Sequence, residues 1–224
     1  MIIVAGGIKG GSGKSTVATN LAVMRAAEGA DVLLVDADDQ ETAADFTLYR
    51  NEQTRGAAGY TCIRLSGPAV RTEVLQLRNK YDDIVVDTGG RDTTSQRAAL
   101  AVANVLLVPF VPRSFDIWTL EKVAALIEEM RPANPELRAH VFLNRADPRG
   151  RDNNEAAEAL QDSDTFSFLD TPLGSRKAFA NAASQGLAVT ELTPRNDKAV
   201  QEIVTLYQRV FNVNLTSAAQ TAGA

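Results

Sequence analysis

The segment that most limits what this chain can become is its first one. The apolar run Ile2-Ile3-Val4-Ala5 is followed at once by a glycine-rich turn, Lys9-Gly10-Gly11-Ser12-Gly13-Lys14-Ser15. Beyond it Val17, Leu21 and Met24 recur at helical spacing. A strand, a tight loop and a helix in that order make a βα unit, which needs parallel neighbours to bury both faces of its strand. The loop has a chemistry of its own. Glycines let successive backbone N–H groups converge on phosphate oxygens, and the following helix presents its positive end to the same anion. Lys14 is spaced to reach the β- and γ-phosphates of a nucleoside triphosphate, and the Ser15 hydroxyl to ligate Mg²⁺. Gly10, Gly11, Ser12, Gly13 and Thr16 complete the expected cradle. Position 8 is Ile where the common G-x-x-x-x-G-K-[ST] pattern requires Gly. The fit is to the variant K-G-G-x-G-K-[ST], which adds a second lysine, Lys9.

The rest of the chain continues the theme. Strand candidates are Ile2–Ala5, Asp31–Val35, Cys62–Leu65, Asp83–Val86, Val105–Val108, His140–Leu143 and Phe166–Leu169, alternating with helical stripes. Val70, Val74 and Leu77 form one stripe, and Ile117, Leu120, Ala124 and Ile127 another. The clearest is Val200, Ile203, Val204, Tyr207, Val210 and Phe211. The expectation is an α/β fold, a mostly parallel twisted sheet with helices on both faces. With 224 residues the chain suffices for one such domain, placed at 1–214, with a small, polar and disordered tail at 215–224. One cysteine, Cys62, excludes an intrachain disulfide or a cysteine-cluster metal site, and fits a reducing cytoplasm. His140 is the only histidine, and no partner for it is evident in the sequence. No apolar run approaches the ~20 residues of a membrane span, and no cleavable leader precedes the first strand. A net charge of −5 argues against nucleic acid globally and leaves room for a local basic patch.

Two acidic strand ends accompany the loop. Val32-Leu33-Leu34-Val35 runs into Asp36-Ala37-Asp38-Asp39-Gln40, and Ile84-Val85-Val86 into Asp87-Thr88-Gly89-Gly90. Carboxylates beyond the carboxyl ends of parallel strands stand where such sheets bind ligands, and can hold Mg²⁺ directly or through water. Gly89-Gly90 allows backbone to approach a γ-phosphate.

On these residues the chain resembles the ParA/MinD family of deviant-Walker ATPases, and within it the small ParA-type, ParF-like partition ATPases. Lys9 to Thr16 matches the deviant Walker A box, Asp36 to Gln40 a D-x-D-P-Q box, and Asp83 to Gly90 the Walker B strand. Asp39 stands where the family usually has Pro. Leu107-Val108-Pro109 with Ser114 to Trp118, Phe142-Leu143-Asn144-Arg145, and Arg176, Ala183, Gly186, Val189 and Glu202 extend the likeness. The resemblance implies the P-loop fold of that family and ATP with Mg²⁺ as cofactors. It implies a sandwich homodimer in the ATP state, in which Lys9 reaches the partner's phosphates. Asp38 would polarise the attacking water, Asp36 and Asp87 would organise Mg²⁺ with Ser15, and Asn144 and Arg145 would lie close to the adenine. Intrinsic hydrolysis would be slow and would await a ParB-like adaptor. Relatives bind double-stranded DNA without sequence preference; the matching positions here are Arg176, Lys177, Arg195 and Lys198, which would make the ATP form nucleoid-associated.

The main expectation is therefore partition of a plasmid or chromosome. The alternative is positioning of a non-DNA cargo such as a carboxysome. A membrane-bound MinD-like role would need a basic amphipathic C-terminal helix, which Leu215 to Gln220 does not provide. A small-molecule ligase of the same fold would lack the Lys9-type lysine, and a nucleotide-binding scaffold would release no phosphate. No room is left before Lys9 for an operator-binding helix-turn-helix, so autorepression is not expected.

Overall fold

The computed structural model describes residues 1–112, 117–147, 152–161 and 163–211, with the side chains of 117 and 118 left aside. The expected tail and the segment Ser114 to Trp118 therefore lie wholly or largely outside the described residues. Sixteen elements follow in chain order. These are β1 (Ile2–Ala5), α1 (Lys14–Ala27), β2 (Val32–Ala37), α2 (Thr42–Gln53), β3 (Thr61–Arg64), α3 (Ala69–Leu77), β4 (Asp83–Thr88) and α4 (Thr94–Leu100). Then come β5 (Val105–Phe110), α5 (Ile117–Met130), β6 (Arg138–Ala146), α6 (Asp152–Gln161), β7 (Ser167–Phe168), β8 (Leu173–Gly174), α7 (Lys177–Ala183) and α8 (Asp197–Phe211).

The strands form one sheet in the order β3-β2-β4-β1-β5-β6-β7, with β8 also on β6, and every described pairing is parallel. The central strands are apolar along their length because both faces are covered, as the uninterrupted hydrophobic runs foretold. Alternate residues divide the core. Ile2, Val4, Leu33, Val35, Ile84 and Val86 pack toward α3 to α6. Ile3, Val105, Leu107 and Phe142 pack under α1, α7 and α8, against Leu21, Ile203, Leu206 and Tyr207. Ala5, Val32, Leu34 and Val85 meet Ala18, Ala22 and Ala43 of α1 and α2. By the same period of two, Asp36 and Asp87 point toward the α1 face. The two are also register partners on adjacent strands.

The chain leaves β1 toward β2 on one side and leaves β5 toward β6 on the other, although β1 and β5 are neighbours. That reversal opens a crevice at the carboxyl ends of the strands, and the glycine-rich loop emerges from β1 directly into it.

Candidate nucleotide site

The loop turns tightly because two of its residues take a conformation open to glycine: Gly11 has φ +70° and Gly13 φ +97°. Gly13 is the N-cap of α1, so the first N–H groups of that helix face the loop interior without a side-chain cap. A Cβ on Gly13 would stand 2.2 Å from Asn144 Nδ2. That amide donates to the Ser12 carbonyl at 2.6 Å, holding the loop from beneath, and Asn144 Oδ1 accepts from Arg145 N. A register irregularity between Asn144 and Ala146, with Arg145 at φ +54°, turns Asn144 under the loop. Arg145 is exposed and lines the cavity above.

That cavity measures about 740 Å³ and is walled by Gly10, Lys14, Ser15, Asp38, Gly90 and Arg145, among others. The turn after β4 seals one side of it by direct backbone contact, since a Cβ on Gly90 would stand 2.5 Å from Gly10 Cα and N. Gly89 faces the neighbouring turn less tightly: its Cβ position is 3.1 Å from the side-chain Oδ1 of Asp38. The two acidic strand ends and the loop thus line one cavity.

Within the cluster the groups are distinguished by what they touch. Lys14 is buried and donates from Nζ to the Lys9 carbonyl at 3.0 Å. Burial pulls its pKa below the usual lysine value, while Asp87 and Asp38 draw it back up. Asp87 has no exposed surface, and neither carboxylate oxygen has a partner in hydrogen-bond geometry. Burial pushes its pKa up to about 7; the nearby Ser15 hydroxyl and Lys14 oppose the shift and Asp36 adds to it. Asp36 is engaged differently. Its Oδ1 accepts from Asp38 N at 3.1 Å and its Oδ2 from Ala44 N at 2.8 Å, fixing the turn after β2 and the start of α2. Burial raises its pKa against those backbone donors. Asp38 is half-buried at the cavity wall and accepts from Gln40 N.

A buried carboxylate without a partner, next to a serine hydroxyl and a buried ammonium, fits a hydrated Mg²⁺ borne by phosphates. Ser15 and Asp87 are the residues open to hold it. The loop fits the triphosphate by the same logic: bare backbone, a helix N-terminus and one buried lysine.

Two supporting side chains escaped the sequence reading. Gln96 on α4, fully buried, accepts at Oε1 from Gly7 N (3.1 Å) and from the Thr88 hydroxyl (3.0 Å), tying α4 and β4 to the root of the loop. The pattern Thr93-x-x-Gln96 could have marked the start of that helix, because Thr93 Oγ1 accepts from Gln96 N. Asn20, in α1, donates to the Thr16 carbonyl at 2.7 Å and accepts from Val189 N at 2.8 Å.

Three of the four expected basic residues share one hollow. Arg176, Lys177 and Arg195 line one surface hollow of about 550 Å³, and Lys198 follows in the first turn of α8. They are not equally available. Arg176 is held bidentately by Glu202, with Nε 2.8 Å from Oε2 and Nη2 2.5 Å from Oε1, whereas Lys177, Arg195 and Lys198 are exposed. Arg195 has Asp197 as an exposed partner at 3.1 Å. Among the described residues no helix is long and apolar enough to cross a membrane.

The fold and the cradle define a P-loop nucleotide-binding domain of the two-lysine kind. The chain belongs to the CobQ/CobB/MinD/ParA nucleotide-binding domain family, whose pattern it matches over residues 2–189. It is 32% identical over 197 residues to the maintenance of carboxysome distribution protein A of Gloeobacter kilaueensis, covering 86% of this chain and 85% of that one. To the protein of the same name from Halothiobacillus neapolitanus it is 26% identical, over 91% of this chain and 93% of that one. Among solved structures, the ATP complex of Cyanothece McdA superposes with a TM-score of 0.78 at 15% identity, covering 95% and 96% of the two chains.

Proposed function

We propose that this chain is an ATP-driven positioning ATPase that works as an ATP-bound sandwich dimer. Its cargo would be a large protein-bounded complex of the carboxysome kind rather than a plasmid. The observation that carries the ATPase reading is the buried, unengaged Asp87 beside Lys14 at a cavity sealed by glycine backbone. The cargo reading rests on the relatives that match nearly the whole chain, which are named for carboxysome distribution.

In this mechanism the loop amides and Lys14 hold the β- and γ-phosphates. Ser15 and Asp87 would hold Mg²⁺, which would supply positive charge to the phosphate oxygens. Asp36 keeps the β2 turn in place through its two backbone acceptances, which presents Asp38 at the cavity wall to orient the attacking water. Lys9 of each subunit crosses to its partner's phosphates, so the stabilising charge arrives only on dimerisation. Lys177, Arg195 and Lys198, duplicated in the dimer, would hold the complex to DNA of any sequence through phosphate contacts. A ParB-like or functionally equivalent adaptor on the cargo would stimulate turnover. Domain limits of 1–214 are part of the same proposal.

Three measurements test it. Phosphate release should be slow, and lost in Lys14→Ala and Asp38→Ala; random-sequence duplex DNA should be bound with ATP, and not with ADP or without nucleotide. Phosphate release unchanged in both variants would remove the mechanism. Deleting the gene in its host should cluster the protein cargo and leave plasmid inheritance at its background; plasmid loss with normally spaced complexes would restore the DNA-partition reading.

A further inference from the structure

The segment Gly186–Glu191 lies between the basic hollow and the two helices, α1 and α2, whose first residues wall the nucleotide cavity. On its flanks lie Gln185, Thr193, Arg195 and Asn196, which form part of the basic hollow. Its own backbone is held by two side chains from the interiors of α1 and α2. From α1, Asn20 accepts from Val189 N and donates to the Thr16 carbonyl, so one buried amide spans the phosphate-binding end of that helix and the segment. From α2, Arg50 is buried and donates Nη1 to the Gly186 carbonyl at 2.9 Å. It also donates Nη1 and Nη2 to the two carboxylate oxygens of Glu191, at 2.8 and 2.9 Å, and Nε to the Ala58 carbonyl. Glu191 Oε2 returns to Ala188 N at 2.8 Å. The contact is also steric, since a Cβ on Gly186 would stand 2.7 Å from Arg50 Cα and N.

The upper ends of both helices are walls of the nucleotide cavity. Ser15 and Thr16 belong to α1, and Thr42 opens α2. The start of α2 is pinned to the acidic turn by Asp36 on Ala44 N and by the Asp38 carbonyl on Glu41 N. A movement of the β2 turn or of the α1 end would be passed to the 186–191 backbone through a charge-assisted bidentate pair and a buried amide.

We infer that Asn20 and the Arg50–Glu191 pair are positioning residues that couple occupancy of the nucleotide cavity to the shape of the basic hollow. The inference rests on the proposed function, in which that surface changes with nucleotide. What it adds is the physical link and its direction: through two helix interiors into one segment, without passing through the sheet. Arg50 is the arm that can be altered without touching the phosphate loop. Arg50→Lys keeps a cation and loses the fork that fits a carboxylate, and Glu191→Gln keeps shape and loses charge.

The test is amide hydrogen exchange over residues 185–196 in the full chain, with and without a non-hydrolysable ATP analogue and Mg²⁺, alongside analogue affinity by titration. In the unaltered protein, exchange in this segment should change about 5-fold or more on saturation, the low end of allosteric coupling. In Arg50→Lys and Glu191→Gln the analogue should bind within about 2-fold of normal, while the exchange response falls below half. Two variants that bind the analogue and keep the full response would overturn the inference. An unaltered protein that binds the analogue with no response at 185–196 would instead sink the nucleotide-controlled surface itself. A merely structural role for the pair would raise exchange equally in both nucleotide states and leave their ratio intact, which also counts against the inference. If Arg50→Lys fails to fold, Glu191→Gln decides alone, since Glu191 lies at the surface.

Discussion

Replacing Asp87 by Asn should make the nucleotide-free protein more stable at alkaline pH, an unusual expectation for a residue assigned to the site. Asp87 is wholly buried, with only the nearby Ser15 hydroxyl and Lys14 to offset its desolvation, and its pKa is pushed up to about 7 from an ordinary value of 3.8. The displacement of roughly three units corresponds to about 4 kcal/mol. Its sign follows from proton linkage. Below pH 4 the carboxyl is protonated folded or unfolded, and nothing is lost. Between pH 4 and 7 the unfolded chain gives up the proton while the folded one retains it, so stability falls as pH rises and is lowest above 7. Asn fills the same volume and does not titrate, and its gain over the parent should grow by about 2–3 kcal/mol between pH 5 and pH 8. Lys14 loses a counter-charge in the variant and subtracts from the gain, so the slope is the diagnostic quantity rather than the absolute difference. Guanidinium unfolding of both proteins at the two pH values, without nucleotide or Mg²⁺, measures it. Adding Mg²⁺ and an ATP analogue should reverse the order, because only the parent presents an anion to the metal. A stability difference that is the same at pH 5 and pH 8 would refute the reasoning, since the burial penalty would then not be electrostatic.

Other changes have distinct signatures. Lys9→Ala should retain ATP binding and lose both turnover and ATP-dependent dimerisation, read by phosphate release and light scattering; full activity would end the trans-acting role. Gly90→Ala, which drives a methyl group into the Gly10 backbone, should weaken nucleotide binding by about 1–3 kcal/mol with a small change in Tm, as expected of overpacking at a contact between loops. Asn144→Ala leaves the Ser12 carbonyl without its donor and should weaken ATP and inorganic triphosphate alike, by about 1–3 kcal/mol; a loss confined to adenine nucleotides would assign the residue to the base. If Lys177, Arg195 and Lys198 of both subunits hold DNA, the log–log salt slope should be about −5 in the dimer, and removing all three should flatten it.

The central strands were legible because they are buried on both faces and so read as unbroken apolar runs, as with Ile84-Val85-Val86. Their ends were less so. β6 was expected over His140–Leu143, yet it continues through Asn144 and Arg145 to Ala146 as an irregular strand end beside the loop. α2 left no clear stripe in the sequence because its buried side includes Thr47 and Arg50, while Leu48 and Tyr49 face out. Arg50 makes sense only beside Gly186 and Glu191, 136 and 141 residues away. The phosphate loop was legible for the opposite reason, since its chemistry is written in seven consecutive residues. Yet its shape is not self-sufficient. Asn144 supports Ser12 from 132 residues off, Gln96 holds Gly7 from 89, and Gly90 seals Gly10 by backbone contact. A motif read locally therefore names the anion it binds, whereas the precision of the cradle belongs to β6, α4 and the turn after β4. Asp36 and Asp87 make the same point from the other side: two Asp-ended strands look equivalent in sequence, and only their partners separate a carboxylate that fixes a turn from one left open to a metal.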